Sequence, residues 1–97
     1  MKGSIAIQIL PRVEKDEVFE AVDRVIEYIQ STGLTYHVGP FETTVEGNFE
    51  ELMDIIKKVH ELTVEAGVSS VSSYIKTSFT NEEEFWSIDE KIGKYNK

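Results

Sequence analysis

Gly39-Pro40-Phe41-Glu42-Thr43-Thr44-Val45-Glu46-Gly47 is the stretch from which the rest of the chain can be interpreted. Turn-forming residues stand at both ends, and the residues between them alternate in the manner of a strand. The alternation puts Phe41, Thr43 and Val45 on one face. Glu42, Thr44 and Glu46 occupy the other face. A strand that only filled a core would not need these carboxylates and hydroxyls, so we predict a sheet face that hydrogen-bonds to another molecule.

Strands and helices alternate on both sides of this stretch. Ile5, Ile7 and Ile9 give the first strand one apolar face, and two later segments carry apolar residues at helical spacing. Strands are predicted at 4–10, 34–38, 41–46 and 68–79, long helices from Asp16 to Gly33 and from Asn48 to Gly67, and a short helix from Ser87 to Tyr95. The order β-α-β-β-α-β with right-handed crossovers predicts an α+β, ferredoxin-like split βαβ sandwich.

The predicted sandwich has a four-stranded antiparallel sheet with both long helices on the isoleucine face. We expect one domain spanning residues 1–97, because a chain of this length supports a single core. The 10 basic and 18 acidic residues give a net charge of −8, which argues against nucleic-acid and anionic-membrane partners. There is no cysteine, and the apolar run Ile5–Leu10 is too short for a signal peptide, so we expect a soluble, cytoplasmic protein.

The sheet face opposite the isoleucines is small, polar and rich in hydroxyls. Alternation assigns to it Ser4, Ala6, Gln8, Thr35, His37, Glu42, Thr44, Glu46, Ser70, Ser72, Tyr74 and Lys76, although a bulge would exchange the faces of the last strand. Small residues allow another surface to approach closely. Two interpretations follow, a subunit interface and a ligand pocket, and they are compatible because a partner subunit can roof a pocket.

Several functions of ferredoxin-like proteins are excluded by their required residues. The loop after the first strand has no Cys-x-x-Cys for a metal chaperone, and the polar face has no exposed aromatic pair for RNA. Arg12 has no glycine-rich phosphate loop beside it, and His37 and His60 lack metal-ligand spacing. Glu42 and Glu46 are separated by about 13 Å along a strand, too far for a glycosidase pair. We therefore expect no catalytic residue, no metal site and no cofactor.

The chain resembles the small thiamine-binding proteins, a family with a ferredoxin-like fold that was long described as uncharacterised. The segments that carry the resemblance are Ser4–Pro11, Gly39–Gly47, Asn48–Met53 and Ser87–Ile92. The resemblance implies non-catalytic binding of thiamine or its hydroxymethylpyrimidine half by a dimer or tetramer. It also implies that the start of the third strand lies at the ligand site.

The resemblance and the residue chemistry together give a set of predicted ligand-binding residues. They are Glu42, Thr43, Thr44, Glu46, Gln8, Ser4, His37 and Tyr74. Glu42 accepts from the pyrimidine amino group, hydroxyls serve either ring edge, Glu46 faces the cationic thiazolium and Tyr74 stacks on a ring. Thr43 reaches this face only if a bulge follows the Gly39-Pro40 turn. The alternatives are a module whose polar face only mediates assembly and, less favoured, a small hydrolase or transferase.

Overall fold

The computed structural model describes residues 1–12, 15–82 and 87–88. The elements are β1 (Lys2–Pro11), α1 (Lys15–Ser31), β2 (Tyr36–Val38), β3 (Thr43–Asn48), α2 (Phe49–Glu65) and β4 (Val71–Thr80). This order is the one predicted from the sequence. Of the predicted C-terminal helix, only Ser87 and Ile88 belong to the described residues, and the rest of it lies outside them.

The sheet confirms the predicted α+β, ferredoxin-like arrangement. Its strand order is β2-β3-β1-β4, and every neighbouring pair is antiparallel. The register between β1 and β4 runs without interruption from Lys2 opposite Thr80 to Pro11 opposite Val71. Because no bulge interrupts this pairing, the faces of β4 follow simple alternation.

One face of the sheet packs against both helices and forms the core. Ile5 and Ile7 of β1 and Val45 of β3 are buried there, together with α1 and α2 side chains. The helix residues of this core are Val25, Ile29, Leu52, Ile55 and Val59. Thr63 is a buried polar residue that the apolar pattern did not predict, and its hydroxyl donates to the carbonyl of Val59 at 2.7 Å.

The start of α2 and the C-terminal ends of both helices follow the sequence signals, whereas α1 begins at Lys15, before the predicted start at Asp16. Asn48 accepts from the backbone N–H of Glu51, and the Glu51 carboxylate accepts from the N–H of Asn48, which is a complete capping box. Gly33 and Gly67 have φ values of 75° and 95°, in the left-handed region that glycine adopts after a helix. Neither helix in the described ranges is long and apolar enough to cross a membrane.

The predicted strand boundaries were wrong at the β2–β3 hairpin and at the start of β4. The last β2–β3 pair is Val38 opposite Thr43, so residues 39–42 form the connection, closed by a hydrogen bond from Gly39 N–H to the Glu42 carbonyl at 2.9 Å. Phe41 therefore lies in a turn, with 79% of its surface exposed, and not on the core face of a strand. β4 begins at Val71 because its partner β1 ends at Pro11.

Candidate functional site

The sheet face turned away from the helices, here called the open face, carries the polar residues predicted for it. Directly opposite residues on neighbouring strands share a face. Ala6 lies opposite both Thr44 and Lys76, Ser4 opposite Glu46, and Gln8 opposite Tyr74. The open face includes Ser4, Ala6, Gln8, Leu10, His37, Glu42, Thr44, Glu46, Ser72, Tyr74, Lys76 and Ser78. Thr35 and Ser70, also predicted for it, precede β2 and β4.

Glu42 and Lys76 form an ion pair across the open face. The Nζ atom of Lys76 lies 3.4 Å from Oε1 of Glu42, although β1 separates β3 from β4. Adjacent strands are about 4.8 Å apart, so a contact that spans the middle strand needs two long side chains. It also needs a small residue beneath them, and Ala6 lies on β1 between Thr44 and Lys76. The end of the face near Glu42 therefore carries a carboxylate that is paired yet reachable by solvent.

Most of the other polar side chains on the open face are available to a ligand. Within the described part of the chain, the side chains of Gln8, His37, Thr44 and Tyr74 make no hydrogen bond. Tyr74 is 68% exposed, and Gln8 and Thr44 are half-buried in the surface of the sheet. These groups offer donors and acceptors of both kinds, because an amide, an imidazole and a hydroxyl can each serve in either role.

Glu46 lies on the open face as predicted, but its carboxylate already has a partner. The backbone N–H of Ile88 donates to its Oε2 atom at 2.8 Å, and Ile88 is only 5% exposed. Ile88 therefore contacts the sheet at the Ser4–Glu46 end. Alternation along β3 could place Glu46 on this face, but nothing in the sequence pattern indicated this long-range contact. At the Glu42 end, Lys76 is the sole partner of the carboxylate among the described residues.

Thr43 lies on the helix side of the sheet and not on the open face. The register pairs it with Ile7 on β1 and with Val38 on β2, and no bulge interrupts either pairing. Alternation along β3 puts Thr43 on this core side, and the bulge after Gly39-Pro40 that would have turned it outward is absent. The Thr43 side chain makes no hydrogen bond with the described residues.

A cleft that sequence reasoning missed lies beside Thr43, between α1 and the β2–β3 turn. This α1 cleft has a volume of about 220 Å³. Its walls are mainly apolar, from β1, α1 and the turn, and its polar lining residues are Gln8, Glu42 and Thr43. Gln8 and Glu42 also belong to the open face, so the cleft and the face meet at these two residues. The cleft forms because of the way α1 packs relative to the turn, and local sequence periodicity does not predict that packing.

His60, the second histidine of the chain, has a structural role. It is half-buried, its Nδ1 lies 2.6 Å from the carbonyl oxygen of Ile56, and its Nε2 lies 2.8 Å from Oγ of Ser73. A carbonyl only accepts, so Nδ1 carries the proton. His60 thus ties α2 to β4, away from the open face. The described residues contain no group of three or more histidine or acidic side chains that could hold a metal ion.

Comparison with known proteins places these features in a family. A family model described as "Thiamine-binding protein" matches residues 5–96. A UPF0045 protein of Clostridium perfringens is 45% identical over 92 residues, which are 95% of this chain and 95% of that protein. A UPF0045 protein of Staphylococcus xylosus is 29% identical over 66 residues, which are 68% of this chain and 61% of that protein.

Solved structures share the fold along almost the whole chain. A structure from Thermotoga maritima, named as a candidate thiamine biosynthesis or salvage protein, superposes with a TM-score of 0.84 at 36% identity, covering 98% of this chain and 99% of that one. A domain of unknown function, DUF77, from Bacillus cereus superposes with a TM-score of 0.87 at 33% identity, covering 98% and 90%.

Proposed function

Because the chain belongs to the thiamine-binding protein family, we propose that it binds thiamine, or the hydroxymethylpyrimidine half of thiamine, at the Glu42 end of the sheet. The observation that carries this proposal is the meeting of two surfaces at Gln8 and Glu42. One is an apolar cleft, and the other is a polar face with unpaired donors and acceptors. An aromatic ring with a polar edge needs apolar walls against its faces and hydrogen-bonding groups at its edge.

The aminopyrimidine ring is assigned to the α1 cleft. Pockets that hold drug-sized ligands have volumes of about 300–1,000 Å³. The cleft, at about 220 Å³, suits one ring better than two. Its apolar walls contact the faces of the ring, while the Glu42 carboxylate accepts from the ring amino group and the Thr43 hydroxyl serves a ring nitrogen. This use of Thr43 does not require it to face the open side of the sheet.

The thiazolium ring is assigned to the open face beside Glu42. This ring is cationic, and a hydrogen bond or contact to a charged group contributes more than a neutral one. Tyr74, on β4 opposite Gln8, presents an exposed aromatic ring on the same face. A cation over such a ring gains about 0.5–1 kcal/mol at an exposed site. The net charge of −8 further favours a cationic ligand over an anionic one.

Binding without turnover fits the arrangement of polar groups. Among the described residues of this site, no hydroxyl is hydrogen-bonded to a histidine or carboxylate that would activate it as a nucleophile. We further propose that the protein acts in the cytoplasm as a dimer or tetramer whose partner subunit covers part of the open face. The exposed Tyr74 and Leu10 on this face favour such a partner, and assembly alone is the second candidate function.

Isothermal titration of ligand-free protein with thiamine and with hydroxymethylpyrimidine tests the proposal. We expect both to bind the parent protein, and Glu42→Ala to weaken both about tenfold to a hundredfold, because it removes a charged acceptor. Glu61→Ala is the matched control, since Glu61 also pairs with a lysine but lies on α2. Thr44→Ala is expected to weaken binding by a smaller factor. Stable oligomers that bind neither ligand would favour the assembly-only function.

A further inference from the structure

The charged group that meets Glu42 in this structure is the protein's own Lys76, and we propose that Lys76 is a specificity-determining residue that competes with cationic ligands for Glu42. The inference rests on the proposed function, and it says that the site discriminates against ligands with a positively charged ring. A ligand with a positive ring must displace the lysine. An uncharged ring that only donates a hydrogen bond can share the carboxylate with it.

The geometry makes Lys76 a displaceable partner. Its side chain is 76% exposed, whereas that of Glu42 is 33% exposed, so the ammonium lies on the solvent side of the pair. The contact of 3.4 Å is made by one nitrogen and one oxygen. A single contact of this kind between exposed groups contributes little to stability. The lysine can therefore leave Glu42 without unfolding the sheet.

The position of Glu42 explains why this competition acts on one ligand class. Glu42 lines the α1 cleft, and its Oε1 atom pairs with Lys76 across β1, so the proposal assigns the second oxygen, Oε2, to a ligand in the cleft. Oε1 faces Lys76 on the open face. A neutral aminopyrimidine in the cleft uses the carboxylate from the cleft side and leaves the lysine in place. A thiazolium on the open face needs the position that Lys76 holds.

Lys76→Met tests the inference, because methionine keeps an unbranched side chain and removes the charge. We expect this variant to bind thiamine about two- to fivefold more tightly than the parent does, which is the range for an exposed ion pair. We expect its affinity for hydroxymethylpyrimidine to change by less than about 1.5-fold. Titrations of both ligands at low and high salt should show the difference shrinking as salt screens the pair.

Lys57→Met is the matched control, since Lys57 pairs with Glu61 at 3.9 Å on α2 and its side chain is 79% exposed. It makes the same change in net charge far from Glu42, and neither affinity should change. If Lys76→Met binds thiamine with the parent's affinity or more weakly, or if both ligands gain equally, the competition is refuted while the proposed function stands. If the parent protein binds neither ligand, the proposed function fails first and this inference with it.

Discussion

Ala6 lies on β1, the strand between Glu42 and Lys76, and its small side chain leaves space on the open face beside Lys76. Ala6 faces the same side as Thr44 and Lys76 because the register places it opposite both. This placement could be predicted from the sequence, since Ile5 and Ile7 fix the apolar face of β1 and the residues between them must point away. The ion pair itself could not be predicted, because it joins residues 34 positions apart across a third strand.

Replacing Ala6 by leucine should fill the part of the open face on which the thiazolium is proposed to lie, without harming the fold. The larger side chain occupies the space between Thr44 and Lys76 on a half-exposed surface, so the core on the other face is unchanged. We expect thiamine binding to weaken at least about tenfold, with the unfolding midpoint close to that of the parent. Titration calorimetry and circular dichroism measure the two effects. Parent-like affinity for thiamine would show that the ligand does not use the surface above Ala6.

Tyr28 gives the protein a dependence on alkaline pH. Burial raises the pKa of the Tyr28 phenol above its usual value of 10.0, and the carboxylate of Asp54 raises it further. The folded state therefore holds this proton more tightly than the unfolded state does. The resulting stabilisation is complete below pH 10.0 and is lost as pH rises through the folded-state pKa.

The Tyr28→Phe substitution should reduce the loss of stability at alkaline pH. Between about pH 9 and about pH 11, the free energy of unfolding of this variant should fall less steeply than that of the parent, as measured by urea denaturation. Asp54→Asn removes the smaller cause and should give an intermediate slope. Equal slopes for Tyr28→Phe and the parent would mean that the folded state does not hold the phenol proton more tightly than the unfolded state.

The length of the turn in the β2–β3 hairpin determines where the residues of the proposed site lie. The alternation along β3 follows from the sequence, but the residue at which β3 begins does not, because it depends on the length of the turn. The turn takes residues 39–42, so Phe41 and Glu42 project from a connection and not from a strand. This placement, together with the position of α1, creates the α1 cleft and brings Thr43 to it.

The capping box of α2 is the element boundary that the sequence specified most fully. Asn48→Ala removes the side-chain acceptor for the Glu51 N–H and should lower the free energy of unfolding by about 1 kcal/mol, within a range of about 0.5–2. Urea denaturation followed by circular dichroism measures this change. Asn81→Ala, in the bend after β4, is the control and should change stability by less than about 0.5 kcal/mol. Equal effects of the two substitutions would contradict a capping role for Asn48.

At the scale of the whole molecule, the two ends of the open face differ in what their carboxylates contact. At one end the backbone N–H of Ile88 donates to Glu46, and at the other end Glu42 pairs with Lys76. The fold class and the facing of most polar residues could be predicted, because they follow from strand alternation and crossover handedness. Which of the two carboxylates remains accessible could not be predicted, because it depends on the contact of Glu46 with Ile88, 42 positions further along the chain.

This contrast predicts different effects for the two carboxylates. Glu46→Gln should weaken thiamine binding less than about threefold, because its Oε2 atom is committed to the Ile88 N–H. Glu42→Gln should weaken thiamine binding more than Glu46→Gln does, because it removes the charge beside the proposed thiazolium position. Titration of both variants under one condition measures the difference. A larger loss for Glu46→Gln would move the cationic end of the ligand to the opposite end of the face.

The most direct test of the proposed binding site is a crystal structure of the protein, from crystals grown with hydroxymethylpyrimidine. The proposed function predicts the ring in the α1 cleft, with its amino group within hydrogen-bond distance of the Glu42 carboxylate and a ring nitrogen near the Thr43 hydroxyl, while Lys76 still contacts Glu42. A ring bound at the Ser4–Glu46 end of the open face, or an empty cleft in crystals grown at saturating ligand, would contradict the proposed site.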